Sequence, residues 1–434
     1  MSSPSENAWL KIGVPSFLVG KLLKQDALSP TPIQSATIPR LCSSMSDPIP
    51  DSLLHSETGS GKTLAYLLPI LARLEGKVVP HTRLRAVIVT PTRELAHQVA
   101  EVAQTFGSVG KFKDPKKSVR VLKCVGEVSS SVLTMLREEP PHILVGTPIT
   151  LAALIPGHVN MGDLQVMVLD EADELLRAHN APHVRALVSV AKGHRGRPGV
   201  VCVSATSSFS LQKFTRETLR KPPALFIADT TGGIPGTPPT ISHLIYRVPT
   251  PSALFNSYTR LLAALRPPAL LSFHNSAAGL EAMEVHLRDK RVRCAVIGNA
   301  YSNSTRARAL EGVAHGKFQV LLSTEMAARG LDIPRLSHVL NVDPPSSLRE
   351  YVHRAGRVGR ISSLTPGRAG TVITLMGSQE ELDVMKDIAK ELRVEMKEIQ
   401  LENGEPVVKI LNWDDGFRQL PPSPPSPLLS PLSL

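Results

Sequence analysis

VMVLDEADELL, residues 166–176, is the stretch that decides the fold. Val166 to Leu169 make a short unbroken apolar run, the pattern of a strand covered on both faces, and the run stops at Asp170, Glu171 and Asp173. Open α/β sheets place their ligands beyond the carboxyl ends of such strands. One carboxylate there can hold a magnesium ion, and the next can orient a water for in-line attack. Alone, the same residues also read as a strand ending in a solvated acidic turn. The rest of the chain separates the two readings.

Upstream, the short strand SLLH leads to ETGSGKT, residues 57–63, and then to the helical pattern LAYLLPIL. Thr58, Gly59, Ser60 and Gly61 can bring backbone amides close to phosphates; Lys62 adds a point charge and Thr63 a hydroxyl for Mg²⁺. Strands and helices alternate around it. AVIVT (86–90), VLKCV (121–125), HILVGT (142–147) and VVCVS (200–204) each precede a helical pattern. Beyond TTGGIPGTPPT (230–240), which has the composition of a linker, the alternation restarts with ALLSF (269–273), CAVIG (294–298), VLLST (320–324), HVLNV (338–342) and TVITL (371–375). The spacing predicts two tandem α/β domains, each a mostly parallel sheet with helices on both faces. We place them at 1–228 and 244–415, with a linker at 229–243 and a Pro/Ser-rich disordered tail at 416–434. HRAGRVGR, residues 353–360, puts glycine-spaced arginines in the second domain. Charge in phosphoryl transfer spreads onto the outer phosphate oxygens, so arginines supplied from across a cleft suit it.

Composition bounds the partners. A chain of 434 residues is long enough for these domains, and its net charge of +11 favours a polyanion. Aromatics are only 4%, which argues against reading single strands by base stacking and for a grip on phosphate and sugar. Cys42, Cys124, Cys202 and Cys294 form no C-x-x-C pair, so buried free thiols are expected rather than disulfides or zinc. No apolar run has the length of a membrane span. The first 25 residues carry Lys11, Lys21 and Lys24 without arginine, a weak match to a mitochondrial presequence, and no secretory h-region.

Together these motifs resemble the DEAD-box family of RNA-dependent ATPases, from about Trp9 to about residue 415. TPIQ (31–34), SETGSGKT, PTRELA (91–96), DEAD (170–173), SAT (204–206), LLSFHNS, STEMAARGLD (323–332) and HRAGRVGR occur in the family's order. The resemblance implies two RecA-like domains that close on ATP and RNA together. It assigns adenine recognition to Gln34, phosphate and Mg²⁺ binding to Lys62, Thr63 and Asp170, and catalysis to Glu171. Asp173, Ser204, Thr206 and His353 would couple hydrolysis to closure. Arg357 and Arg360 would reach the γ-phosphate and Asp332 the ribose, and RNA backbone would be held by Thr92, Arg93, Thr147, Arg306 and Thr324. For the isolated threonines, a capping or core role is an equal expectation.

Five places depart from the family pattern. Asp26-Ala27 stand where a glycine and an aromatic residue are usual, so Ala27→Phe is expected to tighten ATP binding. Gly126-Glu127 replaces paired glycines, Thr147-Pro148-Ile149-Thr150 lacks the arginine of T-P-G-R, and Asn303 and Glu325 replace a Gln and an Asp. All five are expected on the base pocket or nucleic-acid path, away from the hydrolytic centre. The expected function is an ATP-dependent RNA helicase or RNP remodeler, monomeric and without sequence reading or membrane. An ATP-gated RNA clamp with little unwinding is the alternative, and a DNA-directed helicase a weaker third. ETGSGKTL with HRAGRVGR also resembles the divergent helicases of mitochondrial ribosome assembly. That implies the mitochondrial matrix, with nucleolus or cytoplasm as alternatives.

Overall fold

Val166–Asp170 forms a strand buried along its whole length, and its surroundings explain why no polar residue interrupts the run. Val166 and Val168 pack into one apolar cluster while Met167 and Leu169 pack into another. Successive side chains leave a strand on opposite faces, so both faces of this sheet are covered. The structure, a computed structural model, describes residues 4–25, 27–42, 49–56, 59–74, 83–107, 119–193, 197–206, 208–220, 224–228, 237, 240–298, 303–328, 333, 335–359 and 369–413. The expected tail at 416–434 and most of the expected linker lie outside them.

Among the described residues the N-terminal domain contains β1 (Ser52–Ser56), β2 (Ala86–Val89), β3 (Val121–Cys124), β4 (Ile143–Gly146), β5 (Val166–Asp170), β6 (Gly199–Ser204) and β7 (Ala224–Ala228). All are parallel, in the order β3-β4-β2-β5-β6-β1-β7. This order sets β5, β6 and β1 side by side. The segments at their carboxyl ends therefore meet along one edge: the phosphate-loop sequence after β1, DEAD at the end of β5 and SAT at the end of β6. At the opposite, amino-end edge, buried Asp51 ties the start of β6 to the segment leading into β7, accepting the Val200 N–H at 2.9 Å and the Arg220 N–H at 2.7 Å.

The C-terminal domain contains β8 (Ile241–Arg247), β9 (Leu270–His274), β10 (Cys294–Ile297), β11 (Val320–Thr324), β12 (His338–Asn341), β13 (Gly370–Met376), β14 (Met396–Glu402) and β15 (Glu405–Ile410). Their order is β10-β11-β9-β12-β13-β8-β14-β15, parallel except for the β14–β15 hairpin. Two apolar clusters again flank the sheet. β8 begins inside the stretch expected as linker, because its residues pair with β13 along their whole length. The hairpin was absent from the sequence reading, although Asn403-Gly404, both at positive φ (53° and 86°), is the dipeptide that two-residue hairpin turns favour. Cys124, Cys202 and Cys294 are buried and Cys42 half-buried, all as free thiols. No helix among the described residues is long and apolar enough to cross a membrane.

Three buried histidines give the fold a pH dependence. His142 Nδ1 accepts the Arg120 N–H at 2.9 Å, His243 lies 2.6 Å from the Tyr351 hydroxyl, and His274 lies 3.2 Å from Ser272 Oγ. Burial pushes each imidazole down to about 4. The unfolded chain protonates these rings near about 6.5, so their contribution to stability is full above that value and is lost as pH falls towards 4. Asp170, pushed up to about 6 by burial, acts in the opposite sense and offsets part of the loss. The thermal unfolding midpoint is expected to fall between about pH 7 and about pH 4.5; an unchanged midpoint over that range would contradict the buried neutral rings.

Candidate active site

β1 hands over to the helix Lys62–Leu74 through a turn that only glycine accommodates easily. Gly59 and Gly61 have φ of 78° and 90°, in the left-handed region. A Cβ on Gly61 would lie 2.4 Å from Gln34 Nε2. Buried Gln34 accepts the Thr31 N–H at 2.9 Å and donates to the Gly61 carbonyl at 3.1 Å, so it is tied directly to the phosphate loop. Lys62 Nζ arches back to donate to the Ser56 carbonyl at 2.7 Å, and Ser60 and Thr63 are half-buried beside it. Thr58 lies outside the described residues.

Asp170 closes β5 on the same edge. Its carboxylate accepts the Tyr66 hydroxyl at 2.7 Å and the Glu171 N–H at 3.0 Å. Burial pushes it up to about 6, even though the Tyr66 hydrogen bond and the Lys62 charge pull it down. A buried carboxylate whose anion is this poorly compensated suits a hard cation. Glu171 follows at φ 50° and ψ 52°, a left-handed conformation that a non-glycine residue adopts at a cost of about 1–3 kcal/mol. Asp173 is the next hub. Thr206 Oγ1 donates to it, and Ser204 Oγ donates to the Thr206 carbonyl at 2.7 Å, so SAT is folded onto itself and onto DEAD.

The second domain reaches this hub with the helix Leu348–Ala355. Arg349 Nη2 lies 2.9 Å from Asp173 and 3.2 Å from Glu174, and His353 Nε2 lies 3.8 Å from Asp173. Burial raises the Asp173 pKa, but His353, Arg349, Thr206 and Ser204 outweigh it and hold the carboxyl below its ordinary value. Arg357 is buried one turn further on, with Nε donating to the His353 carbonyl at 3.1 Å. Arg354 has a different fate from its neighbours. It is 1% exposed, lies over the Phe273 ring and donates to Asp343 O at 2.8 Å and Asn275 Oδ1 at 2.7 Å, so it holds this helix to its own domain. Arg360 and Asp332 lie outside the described residues.

Residues 31–214 match the DEAD/DEAH box helicase family, and residues 254–362 match the helicase conserved C-terminal domain. The chain is 30% identical over 355 residues to the DEAD-box ATP-dependent RNA helicase CshA of Geobacillus kaustophilus, covering 81% of this chain and 69% of the relative. The chain belongs to the DEAD/DEAH box helicase family. It is also 31% identical over 381 residues to the ATP-dependent RNA helicase DeaD of Mycobacterium tuberculosis, 87% of this chain and 62% of that one. The chain spans 62–63% of the length of that and similar curated relatives. Among solved structures, S. cerevisiae Dbp5 bound to RNA and ADP BeF3 superposes with a TM-score of 0.76 at 22% identity, covering 90% of this chain and 95% of that one. DEAD-box helicase Mss116 bound to ssRNA and UDP-BeF gives 0.77 at 20%, covering 92% and 81%. These two likenesses establish tandem RecA-like domains.

In this DEAD-box chain the residues expected on RNA have mixed placements. Thr92 Oγ1 accepts the Leu95 N–H at 3.2 Å and so caps the helix Arg93–Gly107. Arg93 stacks its guanidinium against Gly126, where a Cβ would sit 3.2 Å from Nη2. Thr147 donates to Thr150 at 3.2 Å, and Thr150 donates to the Gly126 carbonyl at 3.2 Å. Thr150, standing where the family has arginine, thus ties two loops of the expected RNA path together instead of presenting a charge. Arg306 is half-buried. It pairs with Glu94 of the other domain at 2.7 Å and donates to the Ala327 carbonyl at 2.9 Å. Thr324 ends β11, half-buried.

Two expectations about the departures need correction. Glu325 is not confined to the nucleic-acid path: it lies 3.7 Å from His353 Nδ1, behind the Asp173 contact. Ala27 is buried in the apolar cluster, and its carbonyl accepts the Trp9 indole N–H at 2.8 Å. A phenyl ring at residue 27 would have to displace core packing before it met a nucleotide, so the expected tightening by Ala27→Phe loses its structural basis. Sequence reading missed Tyr66 and Arg349. Tyr66 sits one helical turn after Lys62, on the side of the helix that faces β5, and that spacing was its signal. Arg349 carried none.

Proposed function

We propose that the chain is an ATP-hydrolysing RNA helicase or ribonucleoprotein remodeler in which ATP and RNA bind across the interdomain cleft and hydrolysis reopens it. One observation carries this reading: Asp173 accepts from Thr206 in its own domain and faces Arg349 and His353 of the other. A carboxylate shared in this way makes domain closure depend on the segment that would sense the phosphates. Asp170 and Thr63 would hold Mg²⁺, which when bound neutralises phosphate charge. Glu171 orients the attacking water from its fixed left-handed backbone. Lys62 binds the outer phosphates, and Arg357 and Arg360 meet the charge that develops on the γ-phosphate. Gln34, tied to Gly61, reads the base and transmits its presence to the phosphate loop. The net charge of +11 and the few aromatics support a grip on the RNA backbone, without sequence reading. The names of the relatives, ATP-dependent RNA helicases, support the activity.

The Thr150–Gly126 tie favours a second reading, an ATP-gated RNA clamp with little strand separation, since the arginine that the family places there is absent. RNA-stimulated ATPase and displacement of a short RNA duplex, measured side by side, separate the two. Displacement with each burst of ATP supports the helicase. Stimulated ATPase with no displacement supports the clamp, and stimulation by DNA equal to that by RNA contradicts both. We further propose that the chain works in the mitochondrial matrix on ribosome or other RNP assembly, on the motif resemblance alone. Crosslinking in cells identifies the bound RNA, and recovery of only cytosolic or nucleolar RNA would contradict the compartment.

A further inference from the structure

We infer that Arg349 is a positioning residue, an electrostatic latch that holds the two domains closed by bridging Asp173 and Glu174 across the cleft. The inference rests on the helicase reading, which draws on the Arg349–Asp173 contact but gives Arg349 no role of its own. Arg349 lies in the first turn of the helix Leu348–Ala355, where the helix dipole disfavours a positive charge. Its own helix therefore gives no reason for a cation there. The reason lies opposite: Asp173 and Glu174 are 2% and 8% exposed, and Arg349 Nη2 reaches both, at 2.9 and 3.2 Å. Burying two adjacent carboxylates is costly unless cations accompany them.

The arrangement is also reversible. When the cleft opens, Asp173 keeps Thr206, and Glu174 keeps Arg177, whose Nε is 2.8 Å away in the same domain. Neither carboxylate is left without a partner, while both regain water. Arg349 is thus the part of the junction that belongs to the closed state alone, together with His353, which faces Glu325 on its other side. Both Arg349 contacts go through one nitrogen, and Nε is buried without a hydrogen-bond partner. The latch therefore uses charge at one point, not the bidentate fork, and lysine can stand in for it.

The test uses the full chain with a donor and an acceptor dye on the two domains, in AMP-PNP and single-stranded RNA. The ratio of closed to open molecules is read for the parent, Arg349→Met, Arg349→Lys, Glu174→Gln and the Arg349→Met/Glu174→Gln pair. Arg349→Met is expected to lower the ratio roughly ten- to a hundredfold, Glu174→Gln less, and the double variant no further than Arg349→Met. Arg349→Lys should stay within about fivefold of the parent, which a general folding defect at this position would not predict. Closure of Arg349→Met equal to the parent, additive losses in the double variant, or a parent that never closes would overturn the latch. A parent that closes on RNA yet shows no RNA-stimulated ATPase would instead remove the helicase reading and leave the latch standing.

Discussion

Glu171→Gln is expected to lower ATP turnover by roughly a hundred- to ten-thousandfold, the usual range for loss of a positioned general base. The substitution is nearly isosteric, so the left-handed backbone at residue 171 and the Asp170 hydrogen bond to its amide should survive. On the proposed reading, what is lost would be the capacity to take a proton from the attacking water. ATP and RNA binding should therefore persist, and the variant should hold both ligands in the closed arrangement. Single-turnover hydrolysis beside nucleotide binding reads the two separately. Hydrolysis at the parent rate would show that another group handles the water.

Lys62→Ala should fail differently. Lys62 Nζ lies on the Ser56 carbonyl, and its charge is one of the influences that pull Asp170 towards ionisation. Removing it takes a cation from the phosphates and a strap from the loop, at an expected cost of roughly a hundred- to a thousandfold in kcat/KM. On the proposed reading the lysine would meet phosphates in the ground state as well as during transfer, so nucleotide affinity should drop, in contrast to Glu171→Gln. An unchanged affinity for ATP would place the phosphates elsewhere.

The strand positions and the parallel α/β class were legible because the residues that form each strand are local. The central runs AVIV, ILVG, VMVLD and GVVCVS are strands buried on both faces, and motif segments follow at their ends, so run and position carry the signal there. The cross-cleft junction was legible only in part. His353 lies within a motif, but Arg349 gains its meaning from a carboxylate in the other domain, far earlier in the chain, and no local pattern records that meeting. Arg306 is a similar case: its pairing with Glu94 of the other domain is recorded by no local pattern. The equal expectation of a capping role for the threonines suits Thr92, whose hydroxyl caps a helix. Ala27 shows a third limit, since a gap in a motif says nothing about whether the space around it is open or filled.

The most direct test is a structure of the chain with a non-hydrolysable ATP analogue, magnesium and single-stranded RNA. The terminal phosphate is expected between Lys62 Nζ from one domain and the Arg357 guanidinium from the other, within hydrogen-bond reach of both. A nucleotide bound to the phosphate loop with Arg357 turned away into its own domain would contradict a site shared across the cleft.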